Sequence, residues 1–159
     1  MIEHRGTPAG ANFQIGIIVA SYNATVTDGL LEGALGVLKE SEVKDRNTIV
    51  VHVPGALELP TIAGQLARTA EFDALICLGA VIKGETDHYQ HVSEQCIAAL
   101  VRIGSETGVP IGVGVLTCET LALARDRSGV TAKNKGAEAT ASALEVANLV
   151  DDLRSCYGS

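Results

Sequence analysis

The chain has 159 residues, 47% of them apolar and 19% charged, and a formal net charge of −7. That length supports one domain with its own core, without help from metal or disulfides. The acidic balance argues against nucleic acid as a partner, since binding there needs clustered Lys and Arg, and apolar stretches such as Ile15–Ala20 are far too short to span a bilayer.

Residues 1–12 are polar, contain Gly and Pro, and carry no export-type leader pattern, so they read as a flexible arm ahead of a folded unit at 13–159. Phe13 to Ser21 is a nearly unbroken apolar run, the pattern of a strand covered on both faces. Thr27 and Asp28 open a helical pattern with Leu30, Leu31, Ala34, Leu35 and Leu38 on one side. Thr48 to Val53 reads as a second strand. Pro54-Gly55 turns the chain, and Pro60 sits in the first turn of a helix ending near Thr69. Ala74 to Val81 reads as a third strand. A polar loop, Lys83 to Asp87, leads to a long helix with Val92, Cys96, Ala99, Leu100 and Ile103 inward. Gly108 to Pro110 stops it. Ile111 to Leu116 is a fourth strand, followed by a short helix near Glu119 to Asp126. After Ser128-Gly129 a final helix runs from about Asn134 to Leu153, with Ala139, Ala143, Val146 and Val150 inward.

Four strands alternating with helices predict right-handed crossovers and a parallel sheet between helix layers, a single doubly wound α/β domain of three layers. Cys77, Cys96, Cys118 and Cys156 lack zinc or redox spacing, which fits a reduced, cytoplasmic setting. Arg125, Arg127, Lys133 and Lys135 place a third of the basic residues within eleven positions. A solvated helix end and an anion site both fit that cluster.

In such sheets ligands bind beyond the carboxyl ends of the strands. Candidate groups fall there. Tyr22-Asn23 follow the first strand and Gly55-Ala56-Leu57-Glu58 the second. Gly79-Ala80-Val81-Ile82 to His88 close the third, and Thr117-Cys118-Glu119 the fourth. Tyr22 offers a stacking face for a flat heterocycle, or packs on its own helix. Asn23 and Glu58 offer acceptors for a polyol, or cap the helices that follow them. Gly84-Glu85-Thr86 precede a helix start, where free N–H groups favour an anion, and Arg127 or Lys135 supplies a cation. His88 is the natural proton-transfer group. His88, His91 and Asp87 lack a convincing further ligand for a metal site, and neither GxxxxGK[ST] nor GxGxxG occurs.

The run Gly79-Ala80-Val81-Ile82-Lys83-Gly84-Glu85-Thr86-Asp87-His88-Tyr89 resembles the signature of the lumazine synthases, in which a Gly-rich turn leads to the catalytic histidine. Ser21-Tyr22-Asn23, Gly55-Ala56-Leu57-Glu58-Leu59-Pro60 and Gly114 to Glu119 agree in order, and so do Arg127, Asn134-Lys135-Gly136 and the helical tail Glu138 to Leu149. The resemblance implies condensation of 5-amino-6-(D-ribitylamino)uracil with 3,4-dihydroxy-2-butanone 4-phosphate, without cofactor or metal. By that resemblance Tyr22 stacks on the pyrimidine, and Asn23, Glu58 and Lys135 hold the ribityl chain. Ala56, Leu57, Ala80 and Val113 belong to the same pocket, with Val81 and Ile82 meeting the uracil edge through their backbones. Arg127 and the N–H groups of Glu85 and Thr86 bind phosphate, and His88 shuttles protons. Three positions depart from the family pattern. Tyr22 stands where Phe or Trp is usual, Val113 where an aromatic is common, and Cys118 where Thr is usual.

The resemblance also implies a homopentamer with active sites shared between neighbouring subunits, and leaves room for a sixty-subunit shell of twelve pentamers and for association with riboflavin synthase. The uninterrupted spacing from Arg127 to Lys135 resembles that of shell-forming members, whereas Val130-Thr131-Ala132-Lys133 departs from their Gly-rich linker. Two other readings remain open from the residues: a catalytically inactive flavin-binding or shell-forming relative, and a flavodoxin-like electron carrier. Intact His88, Arg127 and Lys135 weigh against the first, and the poor phosphate loop at Ser21 to Thr25 against the second.

Overall fold

A computed structural model describes residues 1–84, 88–130 and 133–158. Four strands, β1 (Ile15–Ala20), β2 (Thr48–Val53), β3 (Ala74–Ile82) and β4 (Ile111–Cys118), form one all-parallel sheet in the order β2-β1-β3-β4. The helices are α1 (Ala24–Glu40), α2 (Leu59–Arg68), α3 (His88–Thr107), α4 (Leu121–Asp126) and α5 (Lys135–Tyr157). The expected three-layer architecture is therefore present.

Strand alternation builds a core on each face. Ile15, Ile17 and Val19 of β1, with Ile76 and Leu78 of β3, face Leu30, Ala34 and Leu144 of α1 and α5. Ile18 and Ala20, with Leu75 and Cys77, face Leu59 and Ala63 of α2 and Cys96 and Leu100 of α3. Every residue of β1 is buried, as its unbroken apolar run predicts. The edge strand β2 differs, because Ile49 and Val50 stay exposed.

Several sequence-based boundaries shift. Helix α1 opens at Ala24 rather than Thr27, because Asn23 takes a left-handed conformation (φ 59°, ψ 48°) that turns the chain directly off β1. Its carbonyl accepts from Val26 and Thr27 at 2.9 and 3.0 Å. Leu35 lies outside the buried face, which comprises Val26, Thr27, Leu30, Ala34 and Leu38. Strand β4 continues to Cys118, since its ladder with β3 runs through Val81–Thr117 and Ile82–Cys118.

The largest difference is in α5. The helix turns Ala139, Thr140, Ala143, Leu144 and Ala147 inward, whereas Val146 is exposed and Val150 only half-buried. Small residues win because α5 lies almost on the backbone of β4. A Cβ at Gly112 would press on the Ala139 carbonyl and the Ala143 methyl. Val146 and Val150 instead line an open apolar groove of about 360 Å³, together with Leu100, Val101, Ile111 and Val113.

Residues 1–12 form no helix or strand and lie along α5. The Asn148 amide donates to the carbonyls of Thr7 and Ala9, both at 2.6 Å.

Candidate active site

The strand order places β1 and β3 side by side, with their following helices on opposite faces of the sheet. The crevice between the two carboxyl ends is the topological switch point, where parallel sheets bind ligands. Asn23 bridges it. Its side chain caps no helix; the Nδ2 group crosses from the end of β1 to donate to the Ala80 carbonyl of β3 at 3.0 Å. Tyr22 follows β1, tied by its N–H to the Pro54 carbonyl at 2.9 Å, yet its side chain stands 69% exposed.

The turn after β2 meets this tyrosine. Gly55 is backbone-extended and buried, and a Cβ there would stand 2.8 Å from Cδ2 of Tyr22 and 3.6 Å from Oε2 of Glu58. Glycine therefore lets the phenol ring and the carboxylate flank one backbone position. Glu58 is exposed and makes no capping bond to α2. A short 3-10 turn over Ala56–Glu58 packs on α3, with Ala56 buried and Leu57 exposed. On β3, Ala80 and Val81 are buried and Ile82 half-buried. His88 is the first residue of α3 and is exposed. The expected phosphate contacts of Glu85 and Thr86 lie outside the described residues.

The basic residues gather elsewhere, along β4 and the start of α5. Arg127, Lys133 and Lys135 line one open hollow of about 780 Å³, with Thr117, Asp126 and Glu138 on its walls. Arg125 does not contribute to that wall. Lys135 Nζ donates to Glu138 Oε1 at 3.0 Å, and Lys133 Nζ lies 3.8 Å from Asp126 Oδ2. Val113 shares a neighbouring hollow of about 220 Å³ with Lys135, Glu138 and Val146. Neither hollow includes Tyr22, Asn23, Glu58 or His88. Within one chain the candidate residues thus form two groups, one at the switch point and one beside β4.

Asn134 holds the second group in place, and sequence reasoning gave it no role beyond its motif. It is 5% exposed. Its Nδ2 donates to the carbonyls of Gly29, Ser128 and Gly129 at 3.0–3.1 Å, while Oδ1 accepts from Ala137 N–H at 3.0 Å as the cap of α5. A Cβ at Gly33 of α1 would collide with this amide. The Lys135 N–H also donates to the Arg127 carbonyl at 2.8 Å. One buried side chain therefore ties Ser128, Gly129 and the start of α5 to α1. Glu138 is the other residue missed, although its spacing from Lys135 on a helix was a readable signal.

Three thiols stay neutral for physical reasons. Burial pushes Cys77 far above the ordinary thiol range, with the adjacent Cys96 adding to the effect, and pushes Cys96 up to about 11. Cys118 is also raised by burial, partly opposed by the nearby Arg127 guanidinium. Cys156 alone is exposed.

Comparison with known proteins bears on the family. A family model described as 6,7-dimethyl-8-ribityllumazine synthase matches residues 12–151. The 6,7-dimethyl-8-ribityllumazine synthase of Protochlamydia amoebophila (strain UWE25) is 42% identical over 153 residues, covering 96% of this chain and 89% of that protein. Both matches span nearly the whole domain, and this chain belongs to the 6,7-dimethyl-8-ribityllumazine synthase family.

Proposed function

We propose that this chain condenses 5-amino-6-(D-ribitylamino)uracil with 3,4-dihydroxy-2-butanone 4-phosphate in riboflavin biosynthesis. The ring amine adds to the ketone and water leaves, giving an imine. Inorganic phosphate is then eliminated, and the ribityl-bearing nitrogen closes the second ring with loss of another water. The product is 6,7-dimethyl-8-ribityllumazine. The observation that carries this reading, beside family membership, is the meeting of Tyr22, Asn23 and Glu58 at the switch point.

In this reading Tyr22 stacks on the pyrimidine, a use suited to an exposed aromatic ring held at its base by Gly55. Glu58, Asn23 and Lys135 hold the ribityl hydroxyls, and the backbones of Val81 and Ile82 meet the uracil edge. Ala56, Leu57, Ala80 and Val113 form the walls. Arg127 stabilises the departing phosphate as its charge develops, joined by the N–H groups of Glu85 and Thr86. His88 moves the protons. Holding amine and ketone together contributes several kcal/mol, on the order of 7–11 at best, so positioning outweighs the proton shuttle. No cofactor or metal takes part.

The two groups of residues need a neighbouring chain to complete one site. The separation of Arg127 and Lys135 from the switch point supports a homopentamer whose sites lie between subunits. The apolar groove beside Val101, Val113 and Val146 supports the same assembly. A sixty-subunit shell, an association with riboflavin synthase and a cytoplasmic location complete the proposal. The location draws on four free thiols. Among the described residues no helix is long and apolar enough to cross a membrane.

The test is a fluorescence assay of lumazine formation with both substrates, run beside Arg127→Ala. Product formed far above the uncatalysed background, and a raised KM for the sugar phosphate in the variant, are expected. No acceleration by folded, assembled protein overturns the proposal and favours an inactive flavin-binding relative.

A further inference from the structure

We propose that His4, Asp152 and Cys156 form a divalent-cation site of the zinc type that fastens the N-terminal segment to the end of α5. Among the described residues they are the group whose imidazole nitrogen, carboxylate oxygen and thiol sulfur come within reach of one ion, all within 4.8 Å of one another. The site lies apart from both groups of active-site candidates.

Its construction follows from the helix and the segment beside it. Asp152 and Cys156 are four residues apart on α5 and therefore share a face. His4 is delivered to that face by the path of residues 6–9. Asn148 holds the Thr7 and Ala9 carbonyls, and Gly6 lies so close to the Glu145 carbonyl that a Cβ there would collide with it. His4 Nδ1 stands 2.5 Å from Asp152 Oδ2. Its Nε2 faces the Tyr157 hydroxyl at 3.2 Å, with the two rings edge to face at 5.6 Å between centroids.

These contacts suit a metal-ligating histidine. Nδ1–H donates to the Asp152 carboxylate, and an arriving cation takes that proton's place on the nitrogen, leaving Nε2–H to donate to the Tyr157 hydroxyl. A ligating histidine is ordinarily oriented in this way, by a partner on its other ring nitrogen. Zinc bonds of about 2.0–2.3 Å set tetrahedral ligand atoms roughly 3.3–3.8 Å apart. Small side-chain rotations reach that spacing: the His4–Asp152 pair opens and the exposed Cys156 thiol swings inward. A carboxylate and a thiolate together neutralise a dication, and water takes the fourth position. The borderline-soft ligand set of nitrogen, oxygen and sulfur favours zinc or cobalt over magnesium or calcium.

The test is a titration of untagged protein with Co²⁺, read by the thiolate-to-cobalt charge-transfer absorption. The band should saturate at one equivalent per chain and vanish on adding Zn²⁺. His4→Ala, Asp152→Asn and Cys156→Ser should each weaken binding by about tenfold or more. Zn²⁺ should also slow tryptic cleavage after Arg5 in the wild type and leave it unchanged in Cys156→Ser. No band at one equivalent, a band that survives Cys156→Ser, or equal protection of Arg5 in that variant would overturn the proposal.

Discussion

The two groups of active-site candidates are built by different means. Tyr22 and Asn23 directly follow the buried strand β1, and Glu58 lies a few residues beyond its partner β2, so the sheet itself positions them. One glycine and one amide bond across the strand ends complete that arrangement. Arg127 and Lys135 instead line a hollow beside the edge strand β4, and they are held from outside the sheet by the buried amide of Asn134 resting on α1. A local device and a long-range clamp therefore serve one proposed reaction, and they should fail differently.

The clamp should give the largest effect. Asn134→Ala leaves three carbonyls without their donor and α5 without its cap, a loss of about 3 kcal/mol or more in urea unfolding. Asn134→Asp keeps the capping oxygen and removes the donors. Because its second oxygen faces the same three carbonyls, it should recover little of the lost stability, and in both variants the KM for the sugar phosphate should rise. An unchanged KM in both would show that the clamp does not position the cations.

Next in size is a mixing experiment. Glu58→Gln and Arg127→Ala chains, each nearly inactive alone, should regain activity when assembled together, because random mixing leaves about a quarter of between-chain sites intact. Recovery measured in the lumazine assay would place the two groups across an interface. Absence of recovery in mixed assemblies would place them in one chain.

A smaller effect is expected at the switch point. Gly55→Ala pushes a methyl into the Tyr22 ring, and should raise the KM for the ribitylaminouracil about tenfold, equivalent to about 1.4 kcal/mol. The KM for the sugar phosphate should hardly move. A shift in the sugar-phosphate KM as large as that for the pyrimidine substrate would dissolve the distinction between the two groups.

At neutral pH the thiols should contribute least, and their effect grows only in alkali. At mildly alkaline pH iodoacetamide should modify Cys156 in the folded chain and spare Cys77, Cys96 and Cys118, as peptide mass mapping can show. Cys77 is raised above its unfolded value of 9.0. Above that pH the unfolded chain releases a proton that the folded chain keeps, so stability is lost as pH rises, by about 1.4 kcal/mol per pH unit for one such thiol. Below pH 9 this thiol contributes no pH dependence. Cys77→Ala should therefore show a shallower fall in urea midpoint above pH 9 than the wild type, and parallel curves would refute the assignment.

Much of the fold was readable in the residues because burial on both sides of a parallel sheet leaves an unmistakable apolar run, as at Ile15–Ala20 and Ala74–Leu78. The strand-end rule then pointed to Tyr22, Asn23 and Glu58 before any contact was visible. Where a helix packs unusually close, the same reasoning failed in part. On α5 it selected Ala139 and Ala143, which are buried, but also the bulky Val146 and Val150, whereas the close approach at Gly112 leaves room against β4 for the two alanines.

The sequence by itself determined the alternation of strands and helices, the family signature and the residue types available for chemistry. Those depend on local periodicity and on motifs contiguous in the chain. Only the tertiary structure decided that Asn23 bridges to Ala80 rather than capping α1, and that Asn134 joins α1 to the loop before α5. It likewise decided that Arg127 and Lys135 gather apart from Tyr22 and Glu58. Each of these rests on contacts between residues distant in sequence, whose meeting depends on how whole helices lie on the sheet.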